Sequence, residues 1–126
     1  MSIIKDINLA PSGEMKINWV ERNMPVLRGI GRRFFEEKPF KGLKVALSVH
    51  LEAKTAYLCR VMEMGGAEMD VTGSNPLSTQ DDVAAALAAG GMNVFAEYGC
   101  TEQQYEDCLR EVLKIGPNII IDDGGD

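Results

Sequence analysis

The sequence predicts an α/β protein with a doubly wound parallel sheet, flavodoxin-like or Rossmann-like, in three layers with about four strands. Three observations carry this expectation. Short apolar runs recur at residues 44–50, 68–72, 93–98 and 118–122, each bounded by Gly, Asn or Asp, with helical patterns between them. Strand and helix alternating at this spacing build parallel sheets, because each crossover needs a helix. The runs VALSV and IIID are apolar without alternation, as strands covered on both faces must be. A long helical segment precedes the first of them.

That segment runs from about Gly13 to Glu37. Leu27, Ile30 and Phe34 share one face, and Met15, Trp19 and the aliphatic stem of Arg22 share another. Pro25 marks a break, with Asn23 capping the helix after it, and Lys38-Pro39 ends the segment. Gly65-Gly66 and Gly90-Gly91 stop two later helices, since glycine takes the left-handed residue after a helix without strain. Ser78 with Asp81, and Thr101 with Gln104, read as capping boxes. The alanine-rich stretch 82–89 allows a helix to approach a sheet closely. Counting the four runs in order, the expected strand order is near 2-1-3-4, in one domain spanning residues 1–126. The final Asp123-Gly-Gly-Asp126 follows the last strand directly and leaves an edge without a covering helix. This ending reads as a truncated chain or a missing partner segment.

Thirteen Lys and Arg against nineteen Asp and Glu give a net charge of −6, which argues against a nucleic-acid surface. Arg32-Arg33 lies beside Glu36 and Glu37 as a solvated helix face. Cys59, Cys100 and Cys108 form no CxxC pair and accompany a single histidine, so reduced packing thiols are expected rather than a metal site. No run of about 18 apolar residues and no secretory signal is apparent, so no membrane partner and a cytoplasmic location are the default expectations.

In open α/β sheets, ligands bind beyond the carboxyl ends of the strands, where the strand order reverses. His50, residues 74–80, Tyr98, Gly99 and residues 122–126 fall there. An imidazole, carboxylates, an amide and hydroxyls suit a polyhydroxylated ligand and proton exchange. Plainer roles stay open at this point. His50 is equally a surface histidine, Asp122 and Asp123 a closed turn, Asn75-Pro76 a turn, and Glu52 and Lys54 solvated first-turn residues. The loop after the first strand, HLEAK, has no glycine and excludes a P-loop or GxGxxG dinucleotide loop. A receiver domain wants carboxylates there, and no DxHxxG corrinoid pattern is present.

Several stretches are more specific. VTGSNPLSTQDDVAAALAAGGMNVFA (71–96), DINLAPSGEMKINWVERNMPVL (6–27), EEKPFKGLKVALSVHLEAKTA (36–56) and IIIDDGGD (119–126) resemble the adenosylhomocysteinase family across essentially the whole chain. The resemblance implies a cytoplasmic, tetrameric enzyme of the methyl cycle, of which this is the N-terminal part of the substrate-binding domain. Its reaction uses bound NAD to oxidise the ribose 3′-hydroxyl, which acidifies the C4′ proton. Homocysteine thiolate leaves, water adds at C5′, and the ketone is reduced. By position, the resemblance gives His50 proton handling near C5′ and Asp123 the acid/base role facing the ribose. It makes Asp126 a structural or supporting aspartate and puts Asn75, Ser78 and Gln80 in a substrate loop. It also implies that the cysteine and NAD loop of the family belong to a part not present here, so the chain alone is expected to hold no NAD and turn nothing over.

One departure concerns the base. Family members often read His-x-Thr-x-Glu-Thr after the first strand, with the threonine and glutamate on the substrate. Here the register reads His50-Leu51-Glu52-Ala53-Lys54-Thr55, so Glu52 and Lys54 hold those positions. An acceptor has become a donor, which makes S-inosylhomocysteine a candidate substrate beside S-adenosylhomocysteine. The alternative expectation is a free-standing, non-catalytic nucleoside- or partner-binding domain of the same fold.

Overall fold

A computed structural model describes residues 2–123. Five parallel strands, β1 (Ile3–Ile4), β2 (Lys44–Ser48), β3 (Glu68–Thr72), β4 (Asn93–Ala96) and β5 (Ile119–Asp122), lie in the order β1-β4-β3-β2-β5. The helices are α1 (Ala10–Asn23), α2 (Pro25–Glu37), α3 (Ala53–Met64), α4 (Asp81–Ala89) and α5 (Glu102–Leu113), with a short 3-10 turn at Ile7–Leu9.

The α/β class, the parallel sheet and the long N-terminal helical segment agree with expectation, but the strand order does not. The four long strands run 3-2-1-4 rather than 2-1-3-4. The chain steps outward through β2, β3 and β4 and only then returns to pair β5 on the free side of β2. This is the Rossmann order. Apolar runs of similar length do not encode which neighbour a strand chooses. The fifth strand, β1, also went unread, because two isoleucines carry no periodicity. It exists through its pairing with Phe95 and Ala96, and Ser2 helps by accepting the Val94 N–H at 2.9 Å.

Alternation along β2 divides the core. Val45 and Leu47 face the larger apolar cluster with α1, α3 and α4, while Ala46 faces a small cluster with Phe95, Cys108 and Val112 under α5. That second layer is thin toward β5, where Ile120 is 61% exposed and Leu113 is 52% exposed. Burial pushes the Cys59 thiol up to about 12 and the Cys108 thiol up to about 11, so both behave as packing groups.

Helix α1 buries Ala10, Gly13, Ile17 and Val20. Met15 and Trp19, grouped with Arg22 on another face, lie out in solvent at 74% and 58% exposure. Gly13 is where α1 crosses the start of α4: a Cβ there would stand 1.9 Å from the Asp82 carbonyl oxygen. Around that crossing Ser12 Oγ donates to Asp82 Oδ2 at 2.8 Å, and Lys16 pairs with the same oxygen at 2.8 Å. Arg60 on α3 grips Glu14 with two nitrogens, one at 2.9 Å.

Two caps differ from the sequence reading. Pro25 opens α2 at its first turn, but Asn23 donates back to the Trp19 carbonyl at 2.7 Å and so closes α1 rather than capping α2. Thr101 and Gln104 form the expected capping box. Ser78 and Asp81 do not, because α4 starts only at Asp81 and the Ser78 hydroxyl is used elsewhere. Gly66 and Gly91 take left-handed φ of 94° and 100° after α3 and α4, as expected.

Candidate active site

The return of the chain to β5 opens a switch point between β2 and β5, and the carboxyl ends of these strands meet there. Asn118 pins the start of β5, donating its N–H to the Lys44 carbonyl while its side chain accepts the Lys44 N–H, both at 2.8 Å. Parallel register then carries Ser48 opposite Asp122, and the Asp123 N–H donates to the Ser48 carbonyl at 3.2 Å. The residues just past each strand end are thereby brought to the same place. His50 Nε2 lies 3.2 Å from Asp123 Oδ2, although 73 positions separate them in the chain (123 − 50).

The other imidazole nitrogen is held by the loop after β3. Asn75 folds that loop on itself, its Oδ1 accepting the Leu77 N–H at 2.8 Å and its carbonyl accepting from Ser78 N, Ser78 Oγ and Thr79 Oγ1. Ser78 Oγ consequently sits 2.6 Å from His50 Nδ1. Gln80 N donates to the Leu51 carbonyl at 2.9 Å and Ser74 N to the Val49 carbonyl at 3.3 Å, locking this loop to the turn that carries His50. Ser78, His50 and Asp123 form a chain of three proton-handling groups.

Beside them lies a cleft of about 500 Å³, lined by Ser48, Ser74, Asn75 and Tyr105 at its polar end and by Leu109 and Ile120 along an apolar wall. The size is that of a small-molecule site. The His50 and Asp123 side chains are 51% and 46% exposed, so both can reach a ligand in it.

The remaining expected residues divide. Asn75 lines the cleft, though its side chain closes its own turn. Gln80 points to α1, where Lys16 Nζ donates to its Oε1 at 3.3 Å. Glu52 caps α3, accepting the Thr55 N–H at 3.0 Å. Lys54 stands exposed on the first turn of α3 in a separate shallow cleft with Met15, Trp19 and Glu52. Asp126 lies outside the described residues. Ser74 was expected at the strand ends only as the first residue of the 74–80 loop, and Tyr105 was not singled out from the sequence. Tyr105 Oη donates to the Ser74 carbonyl at 3.0 Å, a contact across 31 positions with no local signature.

The turn between β2 and α3 does not fit a dinucleotide pyrophosphate. No glycine occupies residues 49–52, and the Glu52 carboxylate already takes the helix amide that a phosphate would approach. No group of three or more His, Cys, Asp or Glu able to hold a metal is present among the described residues. No helix among them is long and apolar enough to cross a membrane.

Fold and site together define a class: a Rossmann-order α/β domain whose ligand cleft at the switch point carries an imidazole–carboxylate pair. The match to known proteins narrows this. The S-adenosyl-L-homocysteine hydrolase family matches residues 1–126, and the chain belongs to that family. An adenosylhomocysteinase of Thermococcus kodakarensis is 54% identical over 98% of the chain, which covers 29% of that relative. S-inosyl-L-homocysteine hydrolases of Methanococcus maripaludis and Methanocaldococcus jannaschii are 52% and 54% identical, over 100% and 98% of the chain and 30% of each relative. The chain therefore spans somewhat under a third of these relatives' length.

Proposed function

We propose that this chain is the N-terminal, nucleoside-holding part of the substrate domain of an enzyme that splits S-adenosyl- or S-inosylhomocysteine into nucleoside and homocysteine. The observation that carries the reading is the His50–Asp123 pair across the switch point, in a cleft of nucleoside size. The redox half of the reaction belongs, on family grounds, to NAD held by another part of the longer protein. The residues of this chain do not fit that cofactor, and their own proton chemistry does not pass through it. Nor do they include the remaining family catalytic groups, so the chain alone releases no homocysteine.

What these residues supply is proton management. A serine hydroxyl carries one proton and can turn it either way. When Ser78 donates to the Asn75 carbonyl, as its 3.0 Å contact allows, its lone pair faces His50 Nδ1 and both ring nitrogens act as donors. When Ser78 turns its proton to Nδ1, the ring is neutral and donates only from Nε2. Protonation of the ring is thus coupled to rotation of one hydroxyl. The imidazole can deliver a proton to a leaving sulfur and take one from the water that replaces it, while Asp123 serves the ribose side. General acid–base help of this kind contributes about 10²–10⁴-fold in rate.

The reading of the base rests on register alone: Lys54 holds the position of the family's base-reading glutamate, and in space it lines a cleft separate from that of His50 and Asp123. Its ammonium has no partner among the described residues and can only donate. A donor matches the 6-keto oxygen of hypoxanthine and opposes the amino group of adenine, and such a mismatch discriminates strongly. Overall identity does not separate the two substrates, since relatives of both names reach 54%. The test is the kcat/KM ratio for S-inosyl- over S-adenosylhomocysteine in a protein of the relatives' length carrying this segment. The expected ratio is above one and falls at least tenfold in Lys54→Glu. A strong adenosyl preference untouched by Lys54→Glu would remove Lys54 from base reading.

A further inference from the structure

The hydroxyl of Ser74 is a polar group without a use in the fold. Its Oγ is buried and is the one buried side-chain N or O among the described residues with no hydrogen-bond partner. Folded proteins rarely leave such a group unpaired, so each instance asks for a reason, and in the wall of a cleft a ligand is one. Ser74 lines the same cleft as His50 and Asp123.

Its backbone is held on both sides. The N–H donates to the Val49 carbonyl at 3.3 Å, one residue before His50, and the carbonyl accepts from Tyr105 Oη at 3.0 Å. The clamped main chain fixes where this side chain stands in the wall of the cleft. A group fixed in this manner is pre-organised for binding.

Lateral position along the sheet says which part of a ligand it meets. Asp123 follows β5, His50 follows β2 and Ser74 follows β3, and these three strands are consecutive neighbours. At about 4.8 Å per strand, the three residues spread over roughly 10 Å, the length of a nucleoside. With Asp123 at the ribose ring and His50 at the 5′-carbon, the next place in the row is the substituent on that carbon. We propose that the Ser74 hydroxyl is a substrate-binding group that hydrogen-bonds the oxygen carried on the 5′-carbon of the nucleoside. This rests on the nucleoside reading above and extends it to a residue outside the His50 relay.

The test is a cycle on the chain itself: Kd for adenosine and for 5′-deoxyadenosine, in the wild type and in Ser74→Ala, by calorimetric titration. Using one base in both ligands cancels the question of adenine against hypoxanthine. The wild type is expected to prefer adenosine by about five- to tenfold, the worth of one neutral hydrogen bond, and Ser74→Ala to lose that preference. Ser74→Cys, close in size but a weak donor, is expected to lose most of it. The thermal midpoint of unliganded Ser74→Ala should equal or exceed that of the wild type, because an unpaired buried hydroxyl has been removed. An unchanged preference in Ser74→Ala, or a variant clearly less stable without ligand, would overturn the assignment and make Ser74 a structural residue. A wild-type chain that binds neither adenosine nor inosine would instead overturn the nucleoside reading.

Discussion

Replacing Gly13 by alanine tests whether the crossing of α1 over α4 organises this domain. The added Cβ would stand 1.9 Å from the Asp82 carbonyl oxygen, 2.5 Å from its carbonyl carbon and 2.9 Å from Ala86 Cβ. A carbon–oxygen contact needs about 3.3 Å, so α1 must retreat by about 1.4 Å. Two of the three nearest atoms are backbone and cannot swing aside as a side chain would. Overpacking of this kind costs about 1–3 kcal/mol. The same retreat stretches the Ser12 and Lys16 contacts to Asp82, both now at 2.8 Å, and adds about 0.5–1 kcal/mol. Alanine returns about 0.5–1 kcal/mol through its better helix propensity. The net expectation is a loss of about 2 kcal/mol, or roughly 8 °C in thermal midpoint for a domain of this size. An added Cβ at Gly29 in α2 would meet nothing within 4 Å, so Gly29→Ala carries the propensity term alone and is expected to stabilise by about 0.5 kcal/mol. Urea and thermal unfolding of both variants, followed by circular dichroism, measure the pair. If Gly13→Ala is as stable as Gly29→Ala, the close crossing is not a feature of the folded protein.

Two further outcomes are expected. Because His50 and Asp123 are about half exposed, Asp123→Asn should change the stability of the chain by less than about 1 kcal/mol, while in a protein of the relatives' length it lowers kcat by about 10²-fold or more with KM within a few-fold; unfolding curves and steady-state kinetics together separate these effects, and a large stability loss with intact kcat would reverse the assignment. The hydrogen bond from Arg60 holds the Glu14 carboxyl below its ordinary range, so its stabilising contribution is present above the unfolded pKa of about 4.3 and is lost as pH falls through the lower folded value; Glu14→Gln should therefore cost about 0.5–1 kcal/mol at pH 7, discounted for the 40% exposure of Glu14, and progressively less as the pH is lowered below the unfolded value, as a series of urea midpoints against pH will show.

The alternation of apolar runs with helical segments, the glycines after α3 and α4 and the Thr101–Gln104 box are local signals, complete within a few residues, and all were legible in the sequence. So was the family, carried by long stretches such as SNPLSTQDD, and with it the position of His50 at a strand end. What sequence did not decide was adjacency. The apolar runs of β2 to β5 are interchangeable as pairing partners, and only packing determined that the chain returns to the free side of β2. That choice, rather than any motif, creates the switch point and brings Asp123 within 3.2 Å of His50. The Ser78–Asp81 spacing matched a capping box, yet the fold of the loop around Asn75 turned Ser78 to the imidazole instead. Glu52 reads as a ligand by register and caps a helix in space. Local patterns report interactions between near neighbours in the chain, and those were readable. Sheet order, the partner of each polar side chain and the unpaired Ser74 hydroxyl depend on contacts between distant segments, whose energies exist only once the tertiary structure has formed.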